Sequence, residues 1–271
     1  MTRYFAPGKL VILGEYAVLD GAPAIVAAVD RGVACEVAEG DGLVTPGDDR
    51  FVRAALAGAP PAMRRFFDAH PVDLDGAKAG FGGSAAATVV ACLSAGRSAH
   101  DAVAIHRAVQ GGGSGVDVFA SIHGGVRRFP DEVEVTCPPL VAVWSGRSAS
   151  TGPRVDRYLA WRGRAAFVAA SRELVARFPT KAIQAVGDAY VLLRAMAAQA
   201  GLDYDLPAFG RIAAIAKDFG GAAKPSGAGG GDVAVALFPD VDARAAFSAA
   251  VTREGFPAIA VAISPGAHQQ A

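Results

Sequence analysis

The sequence predicts a two-domain α+β protein, and three observations predict it. Apolar runs of strand length fill the first forty residues, glycine-rich turns then lead into helices, and beyond about residue 150 the apolar spacing turns helical while glycine thins out. The 271 residues suffice for a large core in one domain or two. At 52% hydrophobic and 19% charged the chain is too apolar for disorder, and no apolar run reaches the about 20 residues of a membrane helix, so a soluble protein without a membrane partner is expected. Lys+Arg 26 balance Asp+Glu 26, which leaves no global field to recruit nucleic acid. Any anion must therefore be held locally. Glycine, at 33 residues, stands well above an average usage of about 7%, and it is clustered.

The elements follow in order. Residues 3–6 predict a short strand, and Lys9 to Leu13 a further run that passes through Gly14-Glu15-Tyr16 to the turn signal Asp20-Gly21. Ala24 to Val29 and Val33 to Val37 read as consecutive strands, residues 40–50 as a polar loop, and Phe51 to Phe67 as a helix that ends before Pro71. Gly80-Phe81-Gly82-Gly83-Ser84 opens a small-residue helix from about Ala85 to Ala95, and Asp101 to Gln110 form another. A second glycine turn, Gly111 to Gly115, starts a helix over Val116 to Ile122. Strands follow at Val126–Phe129, Val133–Val135 and Leu140–Trp144, then helical spacing from Thr151 to Ala200, with a domain boundary expected near 145–155. A helix at Pro207 to Phe219 precedes the third glycine cluster, Lys224 to Asp232; strand Val233–Phe238, helix Val241–Arg253 and strand Ala258–Ile263 complete the order. The tail from Ser264 reads as disordered. Cys35, Cys92 and Cys137 show no metal-ligand spacing and read as buried, reduced thiols. The first residues lack a signal-peptide pattern, so a cytoplasmic location is expected.

Backbone N–H groups at a helix N-terminus bind phosphate, and glycine permits the close approach. Gly80 to Ser84 has that form without being a Walker A loop, since no Gly-Lys-Ser/Thr follows, or a Rossmann fingerprint. A flexible loop or tight helix–strand packing is the alternative use of such a turn. Asp117 sits in the first turn after the second cluster, where a carboxylate either caps the helix or serves chemistry. Lys9 follows Pro7-Gly8, a chain fixed by proline and freed by glycine.

Taken together, Ala6-Pro7-Gly8-Lys9 with Gly14-Glu15-Tyr16, then Gly80 to Ala86, then Ser226 to Gly231, resemble in order and spacing the three motifs of the GHMP small-molecule kinases, over residues 4 to about 263. Lys224-Pro225-Ser226-Gly227-Ala228-Gly229-Gly230-Gly231-Asp232 and Gln110 to Asp117 are similar to the phosphomevalonate kinase branch, where mevalonate kinases usually carry Thr-Gly-Ala-Gly-Gly-Gly-Gly. The resemblance implies an N-terminal ATP-binding domain over 1–148, of the ribosomal-S5-domain-2-like type with a left-handed βαβ unit, and a ferredoxin-like α+β domain over 149–271. It implies ATP and Mg²⁺ as cofactors and a small-molecule acceptor, phosphomevalonate, in a monomer or homodimer.

Residue by residue, the resemblance makes Lys9 and Asp117 catalytic, assigns ATP phosphates to Lys78, Gly80, Phe81, Gly82, Gly83, Ser84, Ala85 and Ala86, and gives Ser84 to the metal. It assigns acceptor contacts to Lys9, Tyr16, Ser114, Gly115, Asp117, Arg147, Ser148, Ser150, Ser226, Gly227, Ala228 and Gly229. Two positions depart from the pattern: Gly83 replaces the first serine of Gly-Leu-Gly-Ser-Ser, and His106 stands where mevalonate kinases place a magnesium-binding glutamate. A phosphate acceptor, with a second pKa near ~6, is already ionised at neutral pH, so Asp117 is expected to orient it and cations at Lys9, Lys78 and Arg147 to gather the two polyanions. Mevalonate kinase, another GHMP kinase, or a catalytically weak nucleotide-binding relative are the alternative readings. The chain is short for the family, with the shortfall expected between about residues 40 and 78.

Overall fold

The structure, a computed structural model, describes all residues except 46–47, 60–62, 70–72, 75–76, 151 and 271, and residues 73, 74 and 77 by backbone alone. It opens with two long antiparallel strands, β1 (Thr2–Leu13) and β2 (Ala24–Glu39), joined through a single 3-10 turn at Ala17–Asp20. Each of these strands joins two runs that the sequence separates. Proline and glycine interrupt the pattern without ending the ladder: the register slips between Pro7 and Gly8, opposite Gly32 and Val29, as a β-bulge. Gly8 is required there, because a Cβ would lie 2.1 Å from the Arg31 carbonyl oxygen.

The first sheet continues through β3 (Leu43–Val44), the helix α1 (Arg50–Leu56) and β4 (Met63–Asp68), which pairs with β2. The helix expected over Phe51 to Phe67 is thus one short helix and one strand, and Pro71 lies outside the described residues. Phe67 and Arg65 turn inward from β4 while Phe66 and Arg64 face out, a period-two pattern that the arginines conceal. The pair β5 (Asp73–Leu74) and β6 (Ala77–Lys78) leads to three helices: α2 (Gly83–Ser94), α3 (Asp101–Gln110) and α4 (Val116–His123). α2 and α4 pack against β1 and β2. Ala85, Ala86, Val89, Val90 and Cys92 of α2 are fully buried against Leu10, Ile12 and Ile25. Small side chains let this helix approach the sheet closely, which fixes where its N-terminus sits.

Strands β7 (Val126–Phe129) and β8 (Val133–Glu134) extend the first sheet from β2. The next strand, β9 (Leu140–Trp144), is buried throughout and belongs to a second sheet. Helices α5 (Gly152–Ala160), α6 (Arg164–Ala200) and α7 (Pro207–Asp218) follow, α6 being kinked just past Pro179, where Lys181 takes φ −141° and ψ 45°. Strands β10 (Ala222–Pro225) and β11 (Val233–Leu237), helix α8 (Val241–Arg253) and strand β12 (Ala258–Ile259) complete an antiparallel sheet of order β10-β11-β9-β12. That order, with the succession strand, helices, two strands, helix, strand, is the ferredoxin-like arrangement.

The tail is ordered: β13 (His268–Gln270) pairs with β1, Arg3 opposite Gln270. The expectation of disorder fails because an edge strand contributes backbone hydrogen bonds that polar side chains do not reveal. Burial pushes the Cys35, Cys92 and Cys137 thiols up to about 11, 11 and 12, so all three free cysteines are neutral. Among the described residues no helix is long and apolar enough to cross a membrane.

Candidate active site

Past the β1 bulge, the Lys9 backbone N–H donates to the Phe81 carbonyl at 2.7 Å, which ties the strand to the glycine loop ahead of α2. The Lys9 ammonium, almost fully buried, donates to the Gly80 carbonyl at 3.2 Å and lies 3.8 Å from Asp117 Oδ1. Two helix N-termini meet there. α2 begins after Gly82 and α4 after Gly115, both left-handed (φ 77° and 82°), and neither helix has a side-chain cap. Uncapped N–H groups and the positive ends of two helix dipoles therefore surround Lys9. One turn beyond Asp117, the buried Ser121 hydroxyl donates to the Pro7 carbonyl at 2.7 Å and holds α4 against the bulge that presents Lys9.

The third cluster arrives from the second sheet. Val11 N–H donates to Ser226 Oγ at 2.9 Å, and the space beside Gly227 lies 3.8 Å from Lys9 Nζ. Beneath them Lys224, with no solvent exposure, forms an ion pair with buried Glu15 and donates to the carbonyls of Val11 at 3.4 Å and Pro225 at 3.0 Å. Burial pulls the Lys224 pKa down while Glu15 opposes that shift. Tyr16, left-handed at φ 61°, donates its hydroxyl to the Ala228 carbonyl at 2.6 Å, and burial raises its pKa. Gly229 faces Tyr204, whose ring a Cβ would meet at 2.3 Å.

Asp232 closes the cluster, half-buried at φ 62°, its Oδ1 accepting from Ala149 N–H at 3.0 Å. Burial raises its carboxyl pKa above 3.8, against the pull of Ala149 N–H, Lys9, Arg154 and Lys78. The native state therefore binds this proton more tightly than the unfolded chain, so the group is a cost at neutral pH that lifts as pH falls through the raised pKa. Asp232→Asn, which also suits a positive φ, is expected to raise the melting temperature at pH 7, by a margin that shrinks as the pH is lowered into the acid range. Thermal melts of both proteins across that range check the margin; one that grows on acidification counts against the sign.

The loop expected beside the acceptor lies elsewhere in its side chains. Arg147 reaches the exposed Asp203 at 3.5 Å, Ser148 donates to the Lys78 carbonyl at 2.8 Å, and the Ser150 carbonyl accepts from Arg154 at 2.6 Å. None of Lys78, Arg147, Ser148 and Ser150 lines the cavity that opens onto Lys9. That cavity, of about 140 Å³, is walled by Val11, Tyr16, Val18, Leu19, the Gly112–Asp117 loop, Gly227 and Ala228, with Val103, His106 and Arg107 from α3 and Val155 from α5. Ser114 Oγ accepts from Val116 N–H at 3.3 Å and shapes the loop.

The glycine loop fits a nucleotide's phosphates. A Cβ on Gly82 would fall 3.1 Å from the Lys9 side chain and 3.7 Å from Asp117 Oδ2, so only glycine leaves that cradle clear. Ala85 and Ala86, fully buried, form the first turn behind it. For a magnesium ion the chain offers the Ser84 hydroxyl and the Asp117 carboxylate, and no group of three His, Cys, Asp or Glu is present among the described residues. So sparse a donor set suits Mg²⁺, which keeps waters and phosphate oxygens in its shell. Ser84 Oγ is hydrogen-bonded with His106 Nε2 at 3.3 Å, and the His106 ring stacks on Phe51 at 4.9 Å. Burial lowers the His106 pKa against the pull of Asp117, so the ring is neutral at pH 7. Glu15, Lys224, Asp232 and Arg154 carry no assignment from the sequence reading, although the first three lie inside its motifs.

Residues 181–258 match the family model described as GHMP kinases C terminal. Phosphomevalonate kinase of Streptomyces sp. (strain CL190) is 28% identical, with 86% of this chain and 88% of that protein covered. Mevalonate kinase of Archaeoglobus fulgidus is 29% identical over 59% of this chain and 63% of that one. Among solved structures, Streptococcus pneumoniae phosphomevalonate kinase in complex with phosphomevalonate and AMPPNP superposes with a TM-score of 0.82 at 18% identity, covering 97% and 100% of the two chains. Methanococcus jannaschii mevalonate kinase does so at 0.80 and 15%, covering 97% and 98%. The molecule has the two-sheet α+β fold of the GHMP kinases, a class of phosphotransferases. Residues 181–258 thus match the GHMP kinase C-terminal domain, and over most of its length the chain is similar in sequence and fold to kinases of that family.

Proposed function

We propose that this chain is a kinase of the mevalonate-pathway type that transfers the γ-phosphoryl group of ATP to (R)-5-phosphomevalonate, giving the 5-diphosphate. The carrying observation is the position of Lys9, buried between two uncapped helix N-termini at the floor of the acceptor cavity. A site meant to hold two polyanions together needs such a concentration of positive potential more than it needs a base. The phosphomevalonate kinases among its relatives, one of them matching over most of both chains, support the same acceptor.

In this reading the first sheet with α1–α4 forms the ATP-binding domain and the β9–β12 sheet with α5–α8 the C-terminal domain, so the boundary expected at 148/149 moves ahead of β9 while β13 returns to the first sheet, and the Gly80–Ala86 loop cradles the phosphates. Lys9 neutralises charge on the phosphoryl group in flight, Asp117 orients the acceptor and Lys9, and the Ser226–Gly229 loop, pinned by Val11 N–H and the Tyr16 hydroxyl, covers the acceptor. Mg²⁺, held by Ser84 and Asp117, would neutralise phosphate charge when bound. Lys78, Arg147, Ser148 and Ser150, which do not line the cavity, have no contact to the acceptor within it in this reading. A coupled ATPase assay with mevalonate and phosphomevalonate as competing acceptors tests the reading. Turnover of phosphomevalonate at the higher kcat/KM is expected; preference for mevalonate, the acceptor of the Archaeoglobus relative's class, would replace it.

A further inference from the structure

The cavity above Lys9 holds more positive charge than its own acids use. Its two carboxylates are committed, Asp117 to Lys9 and Glu15 to Lys224. Lys9 is buried at the floor, whereas Arg107, on the last turn of α3, is exposed and lines the same cavity at its rim. Among the described residues the Arg107 guanidinium has neither an ion pair nor a side-chain hydrogen bond, unlike most arginines of this chain. It lies against the start of α4, Nη2 coming within 3.8 Å of the space beside Gly115. Gln110, one turn along α3, lines the cavity beside it. The aliphatic side chains of Val18, Leu19, Val103 and Val155 line it as well, together with Tyr16, His106 and Ser114.

A neutral polyol would leave this guanidinium without a counter-charge. A ligand with an anion at each end and a short hydrocarbon middle answers all three features. We infer that Arg107 binds a carboxylate at the remote end of the acceptor and so selects for substrates that carry an anionic group away from the phosphoryl-accepting one. The inference rests on the proposed kinase reading and assigns a residue to the end of the acceptor remote from Lys9. Arginine suits the task through its planar fork, which takes a carboxylate with two parallel hydrogen bonds.

The test is Arg107→Gln, an exposed position where the fold should hold, confirmed by an unchanged melting temperature. KM for phosphomevalonate is expected to rise about 10- to 100-fold, as for loss of a charge-assisted hydrogen bond, with KM for ATP and kcat within about threefold of wild type. The carboxamide of phosphomevalonate should cost the wild type the same factor and cost the variant nothing further. Calorimetric binding of phosphomevalonate and of mevalonate, without ATP, repeats the comparison independently of turnover. Equal affinity of variant and wild type for both acids overturns the inference, as does a loss confined to ATP, or a wild type that binds neither acid. A wild type that binds both acids through Arg107 yet transfers no phosphoryl group supports the inference and sinks the kinase reading alone.

Discussion

Lys9→Met is expected to lower kcat by about 10²- to 10³-fold with the melting temperature nearly unchanged, the loss typical of a preorganised charge-stabilising group. Methionine keeps the length and apolar stem that pack under Gly82 and removes only the ammonium. Asp117, left without its partner, is open enough to solvent to bear the change. Asp117→Asn should cost less, since an ionised phosphate needs no base and the amide still hydrogen-bonds the acceptor. Steady-state kinetics of the two variants decide the order. A larger loss at Asp117 would mean that a proton must be removed, and so that the acceptor is an alcohol.

The second large effect falls on stability. Lys224→Met is expected to destabilise the protein by about 3–5 kcal/mol, because it leaves the Glu15 carboxylate charged, buried and unpaired. Glu15 has little in reserve: its Oε2 has no hydrogen-bond partner, and neither has the buried Tyr204 hydroxyl. Replacing both partners, Glu15→Met with Lys224→Met, should recover most of the loss, since the desolvation cost of both charges goes with them. Urea unfolding of the single and double variants measures this. A single-variant loss below about 1 kcal/mol would place the pair with exposed ion pairs of small effect.

Much of the fold can be read from side chains where packing decides it. The helices Asp101–Gln110 and Val241–Arg253 and the strand Leu140–Trp144 keep the limits that periodicity assigns them, because each helix buries one stripe and the strand is buried throughout; Val126–Phe129 keeps its limits too, although only Val126 is buried. Periodicity fails where backbone decides. β10, Ala222–Pro225, is missed because Ala-Ala-Lys-Pro has no apolar signature, and its lysine is buried against Glu15 from the turn that follows β1. In the site, Lys9, Gly82, Asp117 and Ser226 are legible as a motif set, and the structure gathers them around one point. Glu15, Lys224 and Asp232 stand in those same motifs, yet their roles are pairings across 209 residues of chain in one case, which no local pattern carries. Arg107 offered still less: an arginine on an amphipathic helix has no feature that separates it from a solvated one until the cavity beside it is seen.

The interleaving of the two sheets sets an order on biosynthesis. β9 is made early but pairs with β11 and β12, which leave the ribosome only after α5, α6 and α7 have been translated. Throughout that interval the nascent chain carries Leu140-Val141-Ala142-Val143-Trp144, apolar on both faces and without its ladder. At about 5–20 residues per second the wait lasts several seconds, long enough for two such chains on one message to pair with each other. Slow translation or crowded polysomes should therefore favour inclusion bodies in heterologous expression, and a chaperone that shields short apolar strands should raise the yield more than a lower growth temperature alone.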